Sequence, residues 1–260
     1  MKLSIITINF NNRDGLLRTA KSVAGQTFDD FEWLVIDGGS TDGSQDVISR
    51  YASYISWSVS EPDGGIYEAM NKGLDKASGE YVQFLNSGDS FIDQDVLTKV
   101  FSDDGLADVN YGDQWCSQGD VVVEKRTYPD TMDLRYLFRA PLGHQASFIR
   151  TNLAKAHPYR VKYSISADRA FFIELYLSGA SFHYLNLPIV YFDTLGIGSD
   201  ESTIEQRREQ LREIKRELLP ETAADEFEDL MTKADEYDFV MRVPPLRWVY
   251  SFFKWLQKIK

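Results

Sequence analysis

The chain is poor in the features that mark a secreted, membrane-spanning or nucleic-acid-binding protein. A single cysteine, Cys116, stands in 260 residues, which excludes an internal disulfide and a multi-cysteine zinc site and fits a reducing cytoplasm. No run approaches ~18 consecutive apolar residues, so no segment reads as a bilayer-spanning helix. The opening Met1-Lys2-Leu3-Ser4-Ile5-Ile6-Thr7 lacks the apolar core and small-residue cleavage site of a signal peptide, and a cytoplasmic location is expected. Positive charge is also scarce. With 28 Lys and Arg against 40 Asp and Glu, the net charge is -12, which leaves no general counter-charge for a phosphate backbone and excludes nucleic acid as a partner. Internal repeats and low-complexity tracts are absent. What is present is an ordinary globular share of 43% hydrophobic and 13% aromatic residues, enough for one large core.

The first hundred residues alternate strand-like and helix-like patterns, as βαβ crossovers around a mostly parallel sheet require. Leu3 to Asn9 reads as a strand, and Leu16, Ala20, Val23 and Ala24 recur at helical spacing. Glu32 to Asp37 and Trp57 to Ser60 read as strands flanking a helix that carries Val47, Ile48 and Tyr51. Ile66, Met70, Leu74 and Ala77 mark another helix, followed by a strand from Tyr81 to Leu85. Beyond residue 105 the pattern shortens, with strands expected near 108 to 112, 121 to 126, 145 to 149 and 182 to 192, and a helix from Ala167 to Leu177. The expected division is a domain over 1–200, with halves 1–105 and 106–200, and a helical extension over 201–260.

Two strand ends carry acids. Asp37-Gly38-Gly39-Ser40-Thr41-Asp42-Gly43 lies between a strand and a helix, where Asp37 is placed to accept hydrogen bonds from a base or ribose; the plainer account is a βα turn with Asp42 as a helix cap. Asn86-Ser87-Gly88-Asp89 offers a carboxylate and a side-chain carbonyl to a hard divalent cation bridging two phosphates, or else is a simple turn. Both ends line the crevice beyond the strand termini where open α/β sheets collect ligands.

Three phrases, Leu3-Ser4-Ile5-Ile6-Thr7, Trp33-Leu34-Val35-Ile36-Asp37-Gly38-Gly39-Ser40-Thr41-Asp42-Gly43-Ser44 and Gly79-Glu80-Tyr81-Val82-Gln83-Phe84-Leu85-Asn86-Ser87-Gly88-Asp89, resemble family 2 glycosyltransferases in order and spacing over roughly residues 1 to 195. The resemblance implies an α/β fold of the GT-A type: a Rossmann-like nucleotide-binding sheet with helices on both faces, here with a C-terminal helical extension. It implies an inverting transferase moving a hexose or N-acetylhexosamine from a UDP-sugar, with Mn2+ or Mg2+ as cofactor. Thr7, Asn9 and Asp37 resemble the family's nucleotide-contacting positions, and Asp63 and Asn71 lie in the segment that reaches the donor. The family's metal motif reads Asp-x-Asp-Asp, whereas this chain has Asn86, Ser87, Gly88 and Asp89, which leaves Asp89 as the metal ligand and Asn86 and Ser87 as donor contacts. The phrase from Ser60 to Gly73 with Asn86-Ser87-Gly88-Asp89 resembles the subgroup that builds bacterial surface polysaccharides such as O-antigen, implying a polyprenyl diphosphate-linked glycan acceptor. Ser166-Ala167-Asp168 resembles the position of the catalytic base, Asp168; alternatively that acid only favours a helix N-terminus. His144 is either an acceptor or phosphate contact, or structural.

Two other classes fit parts of this pattern. A nucleotidyltransferase needs a Gly- and Lys-rich triphosphate loop near the first strand, which Phe10-Asn11-Asn12-Arg13 does not supply. A noncatalytic nucleotide-sugar or glycan-binding module accommodates Asn86 and Gly88, whereas the retained Asp89 and Asp168 speak for catalysis.

The extension turns acidic between Glu221 and Asp238, then basic and aromatic. From Arg242 onward Arg247, Lys254, Lys258 and Lys260 are interleaved with Trp248, Tyr250, Phe252, Phe253 and Trp255, without an acid. On a helix from Leu246 the apolar Leu246, Val249, Phe253 and Leu256 share one face, as in helices that lie in a membrane interface. This pattern predicts a peripheral seat on the anionic inner face of the cell membrane; the alternatives are docking on its own domain or a homodimer contact. Deleting residues 242 to 260 is expected to abolish co-sedimentation with anionic liposomes, each basic residue contributing about 1 kcal/mol at such a surface. Equal sedimentation of the full and shortened chains rejects the membrane assignment.

Overall fold

The computed structural model describes residues 1–119, 121–194 and 201–220, with isolated helical positions between 230 and 242. The chain divides into two compact units, Met1–Leu211 and Arg212–Lys260, so the first unit runs beyond the 1–200 span expected from sequence. Gln210 belongs to it because its side-chain oxygen accepts the Ile165 and Ser166 N–H groups, at 3.2 and 3.0 Å. The helix α8 (Ile204–Leu218) supplies that glutamine. The basic-aromatic tail expected over 242–260 lies outside the described residues apart from Arg242.

A nine-stranded sheet forms the first unit. Its parallel part is β3 (Trp57–Ser60), β2 (Phe31–Asp37), β1 (Leu3–Asn9) and β4 (Tyr81–Phe84), in that spatial order. The helices α1 (Arg13–Ala24), α2 (Ser44–Arg50) and α3 (Ile66–Lys76) make the crossovers. Successive strand side chains face opposite ways, and the sequence uses both faces. Leu3, Ile5, Trp33 and Val35 join Leu16, Ala20 and Val23 of α1 and Val47 of α2 in one core. On the other face α3 packs on Ile6 and Ile36, closely enough that a Cβ added to Gly73 would lie 2.5 Å from Ile6 and 2.7 Å from Ile36. Helices therefore cover both faces, as expected.

The second half departs from the sequence reading in detail. One long strand, β6 (Val109–Gln118), replaces the short one expected at 108 to 112, and it hairpins with β7 (Val121–Arg126). The expected strand at 145 to 149 is a 3-10 turn, His144–Ala146, leading into β8 (Ser147–Arg150). The region 182 to 192 is one strand, β9 (Phe182–Asp193), parallel to β6. Three short helices, α4 (Val96–Phe101), α5 (Leu134–Arg139) and α6 (Thr151–Ala156), were not signalled by periodicity, being too short to show it. The helix α7 (Ala167–Leu177) appears where expected. A two-residue strand, β5 (Ser90–Phe91), pairs antiparallel with the end of β9.

Gly73 sets two effects against each other. Alanine gains about 1 kcal/mol in helix propensity, while overpacking a tight contact costs about 1–3 kcal/mol; at 2.5 Å the clash dominates. Gly73→Ala is expected to lower the urea midpoint by the equivalent of about 1 kcal/mol or more, and a raised midpoint contradicts this packing.

Candidate active site

Strand register sets the site. Asn9 is opposite Asp37 across β1 and β2, and Asp37 is opposite Ser60 across β2 and β3. Just beyond β4 the Ser87 N–H donates to Ile8 O, and the Ser87 hydroxyl donates to Asn9 Oδ1 at 2.8 Å. Ser60, Asp37, Asn9 and Ser87 thus form a polar row across the carboxyl ends of the strands, where such sheets take ligands.

Asp37 holds the row together. Its Oδ1 accepts from Asn9 Nδ2 (2.7 Å) and the Ser40 hydroxyl (2.5 Å). Its Oδ2 accepts from Ser40 N (2.9 Å), Gln45 Nε2 (3.2 Å) and the Ser60 hydroxyl (2.6 Å). Burial alone would raise its pKa, but the bonds from Ser40, Ser60 and Asn9 outweigh it and hold the carboxyl below its ordinary range. Thr7 lies one step below the row and is fully buried. It donates to Leu85 O at 2.8 Å and accepts from Trp33 Nε1 at 2.9 Å, which makes it a strut beneath the site.

Asp63 sits at the rim, its Oδ1 accepting the Gly65 N–H at 2.9 Å. A Cβ on Gly38 would lie 3.1 Å from both Asp63 Oδ2 and the Phe10 ring, and Phe10 is 66% exposed. Gly38 therefore lets a carboxylate and an aromatic ring approach the backbone at the end of β2. Asn71 points elsewhere: its amide donates to Tyr159 O (2.8 Å) and accepts from Tyr159 N (2.9 Å), tying α3 to the second half of the unit.

In the Asn86–Asp89 turn, Asn86 Nδ2 lies 3.2 Å from His144 Nε2, while Asn86 Oδ1 and His144 Nδ1 are buried without a partner. Burial lowers the His144 pKa to about 4, so the ring is neutral at physiological pH. Asp89 is 3% exposed, and burial pushes its carboxyl up to about 8 against the lowering effect of the Asp193 N–H, which donates to Oδ1 at 3.0 Å. The nearby Asp193 carboxylate raises it further and Arg18 lowers it. Carboxylate oxygens and the orphaned Asn86 carbonyl are hard donors suited to Mg2+ or Mn2+, so the residues present fit such a cation, although among the described residues no group of three or more His, Cys, Asp or Glu forms a ready cage.

Asp168 begins α7. It keeps partial solvent access, yet the dense protein around it raises its pKa through desolvation, opposed by the Arg169 backbone N–H at 2.8 Å, the Arg169 charge and the Tyr67 hydroxyl. The Tyr67 hydroxyl donates to Ile165 O at 2.8 Å and lies 3.4 Å from Asp168 Oδ1. Tyr67 stacks on Tyr159, which meets Phe84 edge-on, and Phe84 meets His144 in the same way. This aromatic chain joins the Asp168 region to the Asn86 turn. The structure thus brings Asn9, Asp37 and Ser87 into one network and links Asn86 with His144; Asp168 stands across the aromatic chain from them.

Sequence reasoning missed Ser40, Gln45, Ser60, Phe10, Arg18 and Asp193. For Asp193 the signal was available: like Asp37, it is an acid ending an apolar strand. The others depend on register and loop geometry that spacing does not reveal.

Asp37→Asn keeps one acceptor oxygen and turns an NH2 group toward existing donors. It is expected to reduce unfolding free energy at pH 7 by about 2–4 kcal/mol. The folded pKa lies below the unfolded value of 3.8. The carboxylate's contribution is therefore fully present above the unfolded pKa and is lost as pH falls through the folded one. Denaturant melts should show the gap between wild type and variant closing below about pH 4; no gap at pH 7 contradicts the network.

Against known proteins, residues 4–148 match the model described as glycosyl transferase family 2. An uncharacterized glycosyltransferase of Mycobacterium tuberculosis is 36% identical over 204 residues, 76% of this chain and 77% of the relative. A PGL/p-HBAD biosynthesis glycosyltransferase of Mycobacterium bovis is 32% identical over 204 residues, 74% of this chain and 77% of the relative. Among solved structures, residues 1–349 of S. aureus TarS in complex with UDP-GlcNAc superpose with a TM-score of 0.68 at 23% identity, covering 86% of this chain and 70% of that one. The fold is the GT-A arrangement, and on the extent of the family match the chain belongs to glycosyl transferase family 2.

Proposed function

We propose that the chain is an inverting transferase that moves a hexose or N-acetylhexosamine from a UDP-sugar to a hydroxyl of a lipid-linked glycan, forming a β-linkage in bacterial surface polysaccharide. The observation that carries this reading is the polar row Ser60, Asp37, Asn9 and Ser87 at the strand ends, beside the Phe10 and Asp63 rim. An exposed aromatic ring next to a carboxylate suits a uracil base, which offers a stacking face and one N–H donor. The fold neighbour solved with UDP-GlcNAc supports the donor class, and the relative named for PGL/p-HBAD biosynthesis supports a glycoconjugate product.

In the transfer, the acceptor oxygen attacks the anomeric carbon while the bond from that carbon to the diphosphate oxygen breaks, and the acceptor proton passes to Asp168. A carboxyl pKa raised by desolvation makes Asp168 a better proton acceptor than an ordinary aspartate. Arg169 N and Tyr67 hold it in place. A divalent cation, with Asp89 as its ligand, would supply charge stabilisation for the departing diphosphate. Asn9 and Ser87 fix the turn beneath the donor, and neutral His144 offers a hydrogen bond without adding charge. No helix among the described residues is long and apolar enough to cross a membrane. A peripheral seat at the inner membrane face, through the tail, would bring the enzyme to a polyprenyl diphosphate acceptor.

Incubation with a panel of UDP-sugars, Mn2+ and lipid-linked acceptors should release UDP with one donor and yield a β-linked product. Binding without transfer to any acceptor indicates the noncatalytic module instead. With the preferred donor, Asp168→Asn is expected to slow transfer about a hundredfold or more while UDP affinity, read by calorimetry, stays within about twofold. Unchanged turnover at saturating donor removes Asp168 as the base.

A further inference from the structure

The Asn86–Asp89 turn has glycine where the family motif carries an acid, and the space beside that glycine is filled. Gly88 has φ +108, and a Cβ placed on it would lie 3.1 Å from Asp193 Oδ2 and 3.2 Å from Asp193 Cβ. The cause is strand pairing. β5 runs antiparallel to β9 with Ser90 opposite Tyr191 and Phe91 opposite Val190, and continuing that register by two residues sets Gly88 opposite Asp193. Asp89 Oδ1 locks the juxtaposition by accepting the Asp193 N–H at 3.0 Å.

We propose that Asp193, reaching across from the end of β9, supplies the carboxylate that the motif lacks at Gly88 and serves with Asp89 as a ligand of the divalent cation. The proposal rests on the nucleotide-sugar reading above. Two acids, one from the turn before β5 and one from the end of β9, restore most of the charge that hard-cation affinity requires, with diphosphate and water oxygens completing the shell. The glycine suits the arrangement: a side chain at position 88 would be strained at that φ and would press on the Asp193 side chain. The Asp193 side chain is 15% exposed, so it retains an opening to solvent.

Arg18 offsets the charge of this pair of acids. Its Nη1 lies 2.9 Å from Asp193 Oδ2 and donates to Gly88 O at 3.2 Å, while its side chain is 37% exposed. The guanidinium balances the Asp193 charge and opposes a second positive charge beside it. Arg18 and Asp193 should therefore act on cation affinity in opposite directions, which a purely structural ion pair would not do.

The test is Mn2+ binding to the full chain in the presence of UDP, read by electron paramagnetic resonance, with thermal melts in chelator to report folding. Asp193→Asn should weaken Mn2+ binding by about tenfold or more, and Arg18→Gln should tighten it severalfold. If wild type binds Mn2+ and Asp193→Asn binds it equally well, Asp193 is not a ligand and the donor-site reading stands. If Asp193→Asn does not fold, Arg18→Gln decides, and unchanged or weaker binding overturns the proposal. If wild type binds UDP but no Mn2+, the cation and Asp193's role fall together while the nucleotide site survives. If UDP is not bound at all, the donor reading itself fails.

Discussion

Parallel register at the carboxyl ends of β1, β2 and β3 is the constraint on which the rest of the molecule depends. Asn9, Asp37 and Ser60 meet only because three strands end level, and a one-residue slip would turn Asp37 to the opposite face. The same alternation that sends Leu3, Ile5, Trp33 and Val35 into the core under α1 sends Thr7, Asn9 and Asp37 up that stripe. The transition from core to site is made by the bond from Trp33 Nε1 to Thr7 Oγ1 and by the one from Thr7 to Leu85 O. Core packing and site geometry are therefore one register problem, and apolar burial in the lower half fixes the polar row in the upper half.

The second half of the unit is attached to this row by different means. Asn71 bonds both ways to the Tyr159 backbone, and Tyr159 sits among Tyr67, Phe84 and Phe171. Such ring pairs add about 0.5–1.5 kcal/mol each beyond area burial, and they hold α3, β4 and α7 in fixed relation. Asp168 consequently depends on residues from the first half: Tyr67, just past the Gly64-Gly65 turn, touches the segment that presents it. Asp168 and the strand-end row are thereby held on one scaffold.

How much of this was legible beforehand follows from sequence separation. The alternation of strands and helices over residues 3 to 85 is a local pattern, and those elements appear where the periodicity placed them. Asp37 and Asp89 were legible as acids at strand ends. Asn71 was read from its segment as a donor contact, whereas its amide is spent on Tyr159, a partner 88 residues away that no local pattern announces. The three short helices carry too few turns to show a period. β5 escaped notice because two residues have no pattern at all, yet this strand brings Asp193 to Gly88. The motif's departure from its family looked like a loss of acids at 86 and 88 because the candidate replacement lies more than a hundred residues downstream.

Asp37 and Asp89 show two opposite ways of burying an acid, and the contrast separates their roles. Asp37 is inaccessible and surrounded by five donors from Asn9, Ser40, Gln45 and Ser60, so its charge is stabilised within the fold and its pKa falls. A cation there would displace hydrogen bonds already made. Asp89 receives a backbone N–H from Asp193 and sits beside a second carboxylate, and its pKa rises to about 8. Burial disfavours its charged form, and the donors around it offset that only in part. Desolvation without matching donors is costly for a charge, and here Arg18, paired with Asp193 at 2.9 Å, offsets part of that cost. Of the two acids that the sequence placed at strand ends, Asp37 is thus built as part of the framework. Asp89 is the one whose charge the surrounding donors offset less.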